Sequence, residues 1–211
     1  MVRSCSWSAL SAFTWPPENP ADGAPDSQPS RAPADGAQIP AAVLVPLFLA
    51  GQPQQAHIVL TRRRADLRRH AGEISFPGGR RDAEDADLLT TALREAEEEI
   101  GLGREQVSLL GELPQTSTFA TGYVIHPFVV AIPAGVAWRL SPREVDAVLE
   151  LPLEAVRAGR TRTQMERRGF SFETDAFIVD EHLIWGATAR IIDHLLARLS
   201  AAEPDGRLSL A

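Results

Sequence analysis

The sequence has no lysine: all 21 of its basic residues are arginine. Lysine-based chemistry, such as a Schiff base, is therefore excluded. Any fixed cation that meets an anionic ligand must be a guanidinium, whose planar fork suits phosphate oxygens. Cysteine is nearly absent too. Cys5 stands alone, which rules out an intramolecular disulfide and a cysteine-built zinc site and suits a reducing compartment. There is no basic surplus. The net charge of −7 provides no field to draw the chain onto nucleic acid. No apolar run is long enough to span a bilayer. Residues 1–15 lack the continuous apolar stretch and small-residue cleavage pattern of a signal peptide. These absences predict a cytoplasmic protein with no nucleic-acid or membrane partner.

Length and composition come next. The chain has 211 residues, 44% of them apolar, enough for one domain with a core plus tails. Residues 1–40 are rich in Pro, Ala, Asp, Ser and Gly and read as a flexible extension, because such a segment buries too little apolar surface to offset its ordering entropy. The domain is expected over 41–200, with a tail at 201–211.

Within that domain, Ala41–Ala50 and His57–Thr61 are apolar runs separated by Gly51-Gln52-Pro53-Gln54, which predicts a hairpin. Phe76-Pro77-Gly78-Gly79 predicts a turn. Leu89, Leu93, Ala96 and Ile100 recur at spacings of three and four and predict a helix over 86–100. Asp85 or Asp87 can cap its start, and Gly101 suits its end. Strands are expected at Val107–Leu113 and Tyr123–Ile132. Ser141 to Glu144 has capping-box spacing, but Pro142 and the β-branched residues beyond argue against a long helix. A strand pair is expected over Phe177–Trp185, turning at Asp180-Glu181. A closing helix over Ala187–Leu199 would bury Ile191, Leu195 and Leu199. Trp185 and Phe119 read as core. The irregular alternation of strands and helices predicts a mixed α/β sandwich of the α+β kind, not a regular parallel stack.

The segment that carries chemistry is Arg94-Glu95-Ala96-Glu97-Glu98-Glu99-Ile100-Gly101. Glu95, Glu98 and Glu99 share one helix face and repel one another, at roughly 0.2–0.5 kcal/mol per close pair. They also lie near the helix C-terminus, where the dipole disfavours anions. A solvated acidic face is the bland alternative. A hard divalent cation gives the arrangement a purpose, because carboxylate oxygens are its preferred ligands. Gly78-Gly79 ahead of the helix would let backbone approach a metal or phosphate closely. Arg94 could hold the carboxylates by pairing with Glu97 or Glu98.

Gly79 followed by Arg94-Glu95-Ala96-x-Glu98-Glu99-x-Gly101-Leu102 resembles the Nudix signature. The loop is one residue longer than the family pattern. The pattern's glycine would fall at Arg80 and its first glutamate at Ala86, so Gly79 stands in and Asp85 is the nearest acid. The resemblance implies a Nudix-type α/β/α sandwich with a mixed β-sheet, and a hydrolase that cleaves a diphosphate bond with Mg²⁺ or Mn²⁺. It implies metal ligands Glu95, Glu99 and Glu98, with the Gly79 carbonyl as a further one. It implies a general base among the glutamates, for which Glu98 is favoured, and catalytic roles for Glu98, Glu95 and Arg94.

Upstream, Leu60-Thr61-Arg62-Arg63, then Leu67-Arg68-x-His70-x-Gly72-x-x-Ser75-Phe76-Pro77-Gly78-Gly79, resembles the extra motif of the coenzyme A pyrophosphatase branch. The implied substrate is coenzyme A or acyl-CoA. The implied substrate-binding residues are Arg62, Arg63, Arg68, His70, Gly72, Phe76 and Gly78. Physically, Arg62, Arg63, Arg64, Arg68 and Arg69 form a dense cation cluster suited to several phosphates. They could equally pair with Asp82, Glu84 and Asp87, and His70 could be structural. The rival readings are another Nudix activity, on ADP-ribose, NADH or an oxidised nucleoside triphosphate, and a non-catalytic nucleotide sensor. A monomer or a homodimer fits either.

Overall fold

The computed structural model describes residues 38–66, 72–118, 122–167 and 169–202. The expected extension is described only from residue 38 and the expected tail only to 202. Arg68, His70 and Phe119 lie outside the described residues.

The first hairpin forms as its pattern predicts. Strand β1 spans Ile39–Ala50 and β2 spans Gln55–Arg63, antiparallel, with Leu47 opposite Ile58. β1 begins two residues before the expected start of the domain. Its other edge runs parallel to β7, Tyr123–Ala131, from Ile39 opposite Tyr123 to Leu47 opposite Ala131. A parallel pair needs a long crossover, and that crossover carries the acidic helix. Strand β5, Ser108–Glu112, is antiparallel to β7, and β8, Val145–Pro152, is antiparallel to β2. Three short strands complete this mixed sheet: β3 (Ile74–Ser75) on β2, β4 (Gly78–Arg80) on β1 and β6 (Thr116–Ser117) on β7.

Alternation along β1 divides the core in two. Ala42, Leu44 and Phe48 face helix α1, Leu88–Ile100, and pack with Ala92, Leu93, Ala96 and Ile100. Val45 and Leu47 face the other way. They join Ile191, Ile192, Leu195 and Leu199 of α3, Gly186–Ala202. The sheet therefore lies between two helical layers, which is the expected α/β/α sandwich. The short helix α2, Leu153–Ala158, buries Leu153 and Val156 in the second layer.

Three details refine or differ from expectation. Phe76–Gly79 is not simply a turn. Gly78 and Gly79 form part of β4 and pair with Val43 and Ala42. The expected strand pair over Phe177–Trp185 belongs to a three-stranded antiparallel sheet of β9 (Arg160–Arg167), β10 (Phe170–Val179) and β11 (His182–Trp185). Ser141–Glu144 is a turn leading into β8, not a helix start.

Candidate active site

Helix α1 is positioned at both ends. Asp87 caps the start by accepting from the Thr90 amide at 2.7 Å. At the far end Gly101 sits at φ 71°, and its N–H donates back to Glu97 O while Leu102 N–H donates to Ala96 O. Those two bonds close the last turn in the left-handed cap that glycine favours. The apolar stripe docks on β1, so the glutamate face is turned to β4 and to the rim of the sheet.

The three predicted carboxylates have different surroundings. Glu99 is 5% exposed. Its Oε2 accepts from Gly78 N–H at 3.3 Å, and its Oε1 lies 3.7 Å from Arg63 Nη1. Burial pushes its pKa up to about 8, outweighing the Gly78 N–H and Arg63. Glu95 is mostly buried and bonds to Arg94 Nη1 at 3.0 Å. Burial raises its pKa too, against the pull of Arg94. The Glu98 side chain is 63% exposed, with Oε2 3.6 Å from Arg94.

Backbone and helix approach closely here. A Cβ on Gly79 would overlap the Glu95 carboxylate, and one on Gly78 (φ 153°) would overlap the Ala42 carbonyl. The two glycines are what lets β4 lie between β1 and α1.

Of the two partners expected for Arg94, Glu97 and Glu98, it takes Glu98, at 3.6 Å, but this is not its main contact. Its guanidinium grips Asp85, with Nε to Oδ1 at 3.1 Å and Nη2 to Oδ2 at 3.0 Å, and it also reaches Glu95, Glu98 and Asp82. Asp85 is 5% exposed and also accepts from Thr91 Oγ1 and Asp82 N, each at 2.9 Å. The Arg94 fork is the main reason its pKa falls well below the usual carboxylate range. The longer loop is thus absorbed: the acid one position early reaches the arginine directly. Asp85 does not cap the helix.

The described members of the arginine cluster, Arg62, Arg63 and Arg64, disperse, and none of them takes Asp82, Glu84 or Asp87. Arg62 pairs with Asp146 at 2.7 Å, and Arg64 with Asp66 at 2.7 Å. Arg63 alone among these three turns to the acidic face. Gly72 is exposed at φ 71°. Phe76 is 3% exposed and packs in the core with Leu60 and Ile74, so its ring anchors the strand that leads to Gly78. Glu144, read from the sequence only as the end of a capping-box spacing, lies 4.0 Å from Arg63 Nη1.

As the side chains stand, no three acids or histidines among the described residues converge on one point. The donor chemistry nevertheless fits a hard cation. Two largely buried carboxylates, Glu95 and Glu99, are held where burial penalises their charge, with a third beside them. A divalent ion offsets that penalty through oxygen ligands.

The sequence pattern of the NUDIX domain matches residues 39–171. The chain belongs to the Nudix family. Nudix hydrolases named NudL from Salmonella newport and Salmonella dublin are each 39% identical over 161 residues, covering 75% of this chain and 82% of the relative. The fold is similar to that of a Nudix hydrolase from M. smegmatis, RenU. That match has a TM-score of 0.54 at 16% identity, over 79% of this chain and 88% of that one. It is also similar to a C. elegans Ap4A hydrolase in a binary complex, with a TM-score of 0.53 at 17% identity, over 77% and 98%. The stretch that resembles the Nudix signature lies within the matched residues, on β4, the following loop and α1. No helix among the described residues is long and apolar enough to cross a membrane.

Proposed function

We propose that this Nudix protein hydrolyses the diphosphate bond of coenzyme A or its thioesters, giving 4′-phosphopantetheine, or its acyl form, and 3′,5′-ADP. The observation that carries this is continuity. The motif resembling the coenzyme A branch runs along β2, returns through β3 and ends in the β4 glycines against the metal-binding face. Substrate recognition and the Nudix box are thus parts of one stretch of backbone.

Glu95, Glu98 and Glu99, with the Gly79 carbonyl, would hold Mg²⁺ or Mn²⁺. When bound, the ion neutralises phosphate oxygens and makes a water nucleophilic. The chain's own residues do the rest. Arg94 fixes Glu95 while Asp85 fixes Arg94. Glu98, the most exposed of the three, is free to accept a proton from the attacking water and is our choice of general base. Arg63 has guanidinium donors at the edge of the acidic face for phosphate oxygens, while Arg62, paired with Asp146, is assigned to the substrate on the motif alone. Arg68, His70 and Gly72 are assigned to the substrate on the motif alone.

The test is turnover of coenzyme A with Mg²⁺ or Mn²⁺, beside ADP-ribose, NADH and an oxidised nucleoside triphosphate. Efficient cleavage of one of those with coenzyme A untouched would refute the substrate and keep the chemistry. Glu98→Gln should lower turnover by about 10²–10⁴-fold, the usual contribution of a general base, without unfolding the protein. A wild-type protein that binds nucleotide and turns over nothing would instead be a sensor.

A further inference from the structure

We infer that β9 is a docking edge for a second copy of this chain, the two β9 strands pairing antiparallel about Thr163.

The outer strands of the two sheets differ as edges. β5 shifts register between Leu109 and Gly111. β8 meets a register shift at Arg62 and Arg63 and ends in Pro152. Bulges and proline blunt an edge against pairing. β9 has neither, and its residues Arg160–Arg167 pair with β10 without a register shift. It is the last strand of its sheet, and no strand lies on its outer side among the described residues.

The groups left open on that side follow from the ladder. Ile178 N–H donates to Gly159 O at 2.9 Å, and hydrogen-bonded pairs alternate along antiparallel strands. Arg160, Arg162, Gln164 and Glu166 therefore aim their own N–H and C=O away from β10. All four residues are exposed.

Two copies that meet through these groups about Thr163 use every one of them. Arg160 falls opposite the partner's Glu166, and Arg162 opposite the partner's Gln164. A centre at Arg162 would instead set that arginine against itself. The charges favour the first register. Arg160 touches Asp193 at 2.9 Å, and Arg162 lies 3.9 Å from both Glu173 and Asp175. Glu166 stands opposite Ser171 and has no cation beside it among the described side chains. The partner's Arg160 supplies one, and opposite charges across a strand pair stabilise it. On the other face Thr161, Thr163 and Met165 are half-buried. Met165 meets the partner's Thr161, and Thr163 meets the partner's Thr163. The contact is isologous, so each pair off the axis occurs twice.

The test is sedimentation equilibrium of the full chain at increasing concentration, with no metal or nucleotide present. A monomer–dimer equilibrium is expected. Gln164→Pro removes an outward N–H and leaves the β10 ladder intact, and it should abolish the dimer while keeping the wild-type circular dichroism. Glu166→Arg sets arginine against the partner's Arg160 and should weaken the dimer about tenfold or more. Thr163→Cys in a Cys5→Ser background should cross-link two chains in air. Facing residues of a non-hydrogen-bonded pair stand about 4.5 Å apart at Cα, within disulfide reach. Thr161→Cys in the same background should stay uncross-linked. A chain that sediments as a monomer throughout overturns the inference. So does a dimer that Gln164→Pro and Glu166→Arg leave unchanged, or one that cross-links through Thr161→Cys and not through Thr163→Cys. If Gln164→Pro fails to fold, Glu166→Arg and the two cysteine variants decide.

Discussion

Asp85 and Glu99 are each 5% exposed, and burial opposes the charge of both, yet the net results are opposite. Asp85 collects a two-point arginine fork, a hydroxyl and a backbone amide. Its charge is more comfortable folded than unfolded. Glu99 has one amide at 3.3 Å and an arginine 3.7 Å away, and its charge is opposed. One carboxylate is finished by the fold and holds structure together. The other is left under-satisfied on the helix face proposed to hold the metal. The count of donors around each acid, not burial alone, separates the two.

That contrast can be broken from either side. The largest effect is expected at Glu99. Glu99→Gln should cut turnover by more than about 100-fold through lost metal affinity. Its melting temperature should be no lower than wild type, since a charge that burial penalises has gone. Divalent ions should raise the melting temperature of wild type and not that of the variant. A large drop in stability would mean Glu99 is structural after all. Asp85→Asn should do the reverse in kind, losing about 2 kcal/mol in denaturant unfolding because Arg94 loses its charged partner. Activity would fall only as Arg94 and Glu95 loosen.

Acid should expose the same difference. The folded pKa of Asp85 lies below its unfolded value of 3.8. Its contribution is therefore complete above about pH 4 and drains away as pH falls below that. Unfolding free energy measured from pH 6 down to pH 3 should decline more steeply in wild type than in Asp85→Asn; parallel curves would remove Asp85 as the cause. The smallest effect belongs to Glu97, which is exposed on the same helix. Glu97→Gln should change stability by no more than about 0.5 kcal/mol and leave turnover alone. A clear loss would show that Arg94 does use the other partner that helix spacing suggested.

Much of this was legible in the sequence where a local rule applied. The spacing of Leu93, Ala96 and Ile100 gave α1, and Gly101 its end. The apolar runs gave β1, β2 and β7. Other parts were not legible because no local signal carries them. β9 reads Arg160-Thr161-Arg162-Thr163-Gln164-Met165-Glu166-Arg167, and none of residues 160–166 is fully buried. An apolar alternation is therefore missing, and the strand exists through its pairing with β10. Gly78 and Gly79 have turn composition but lie in a strand, because the β1 edge supplies partners that spacing cannot reveal. Arg94 reaches Glu98, one of the two partners its helix spacing offered, but its main partner Asp85 returns to it through a loop that no spacing signals. Glu144 comes within 4.0 Å of Arg63 through the β2–β8 pairing, some eighty positions along the chain, where no motif connects them.

The β4 pairing has a further consequence. The glycine backbone at the site is hydrogen-bonded into the central sheet at Ala42 and Val43, with Leu44 N–H reaching back to Pro77 O at 2.9 Å. Its ordering entropy is therefore spent during folding, and none is left to be lost when a ligand docks. Substrate analogues that differ only at the diphosphate should then bind with nearly the same entropy change. Differences in affinity among them should fall in the enthalpy, measured against a floor that does not move.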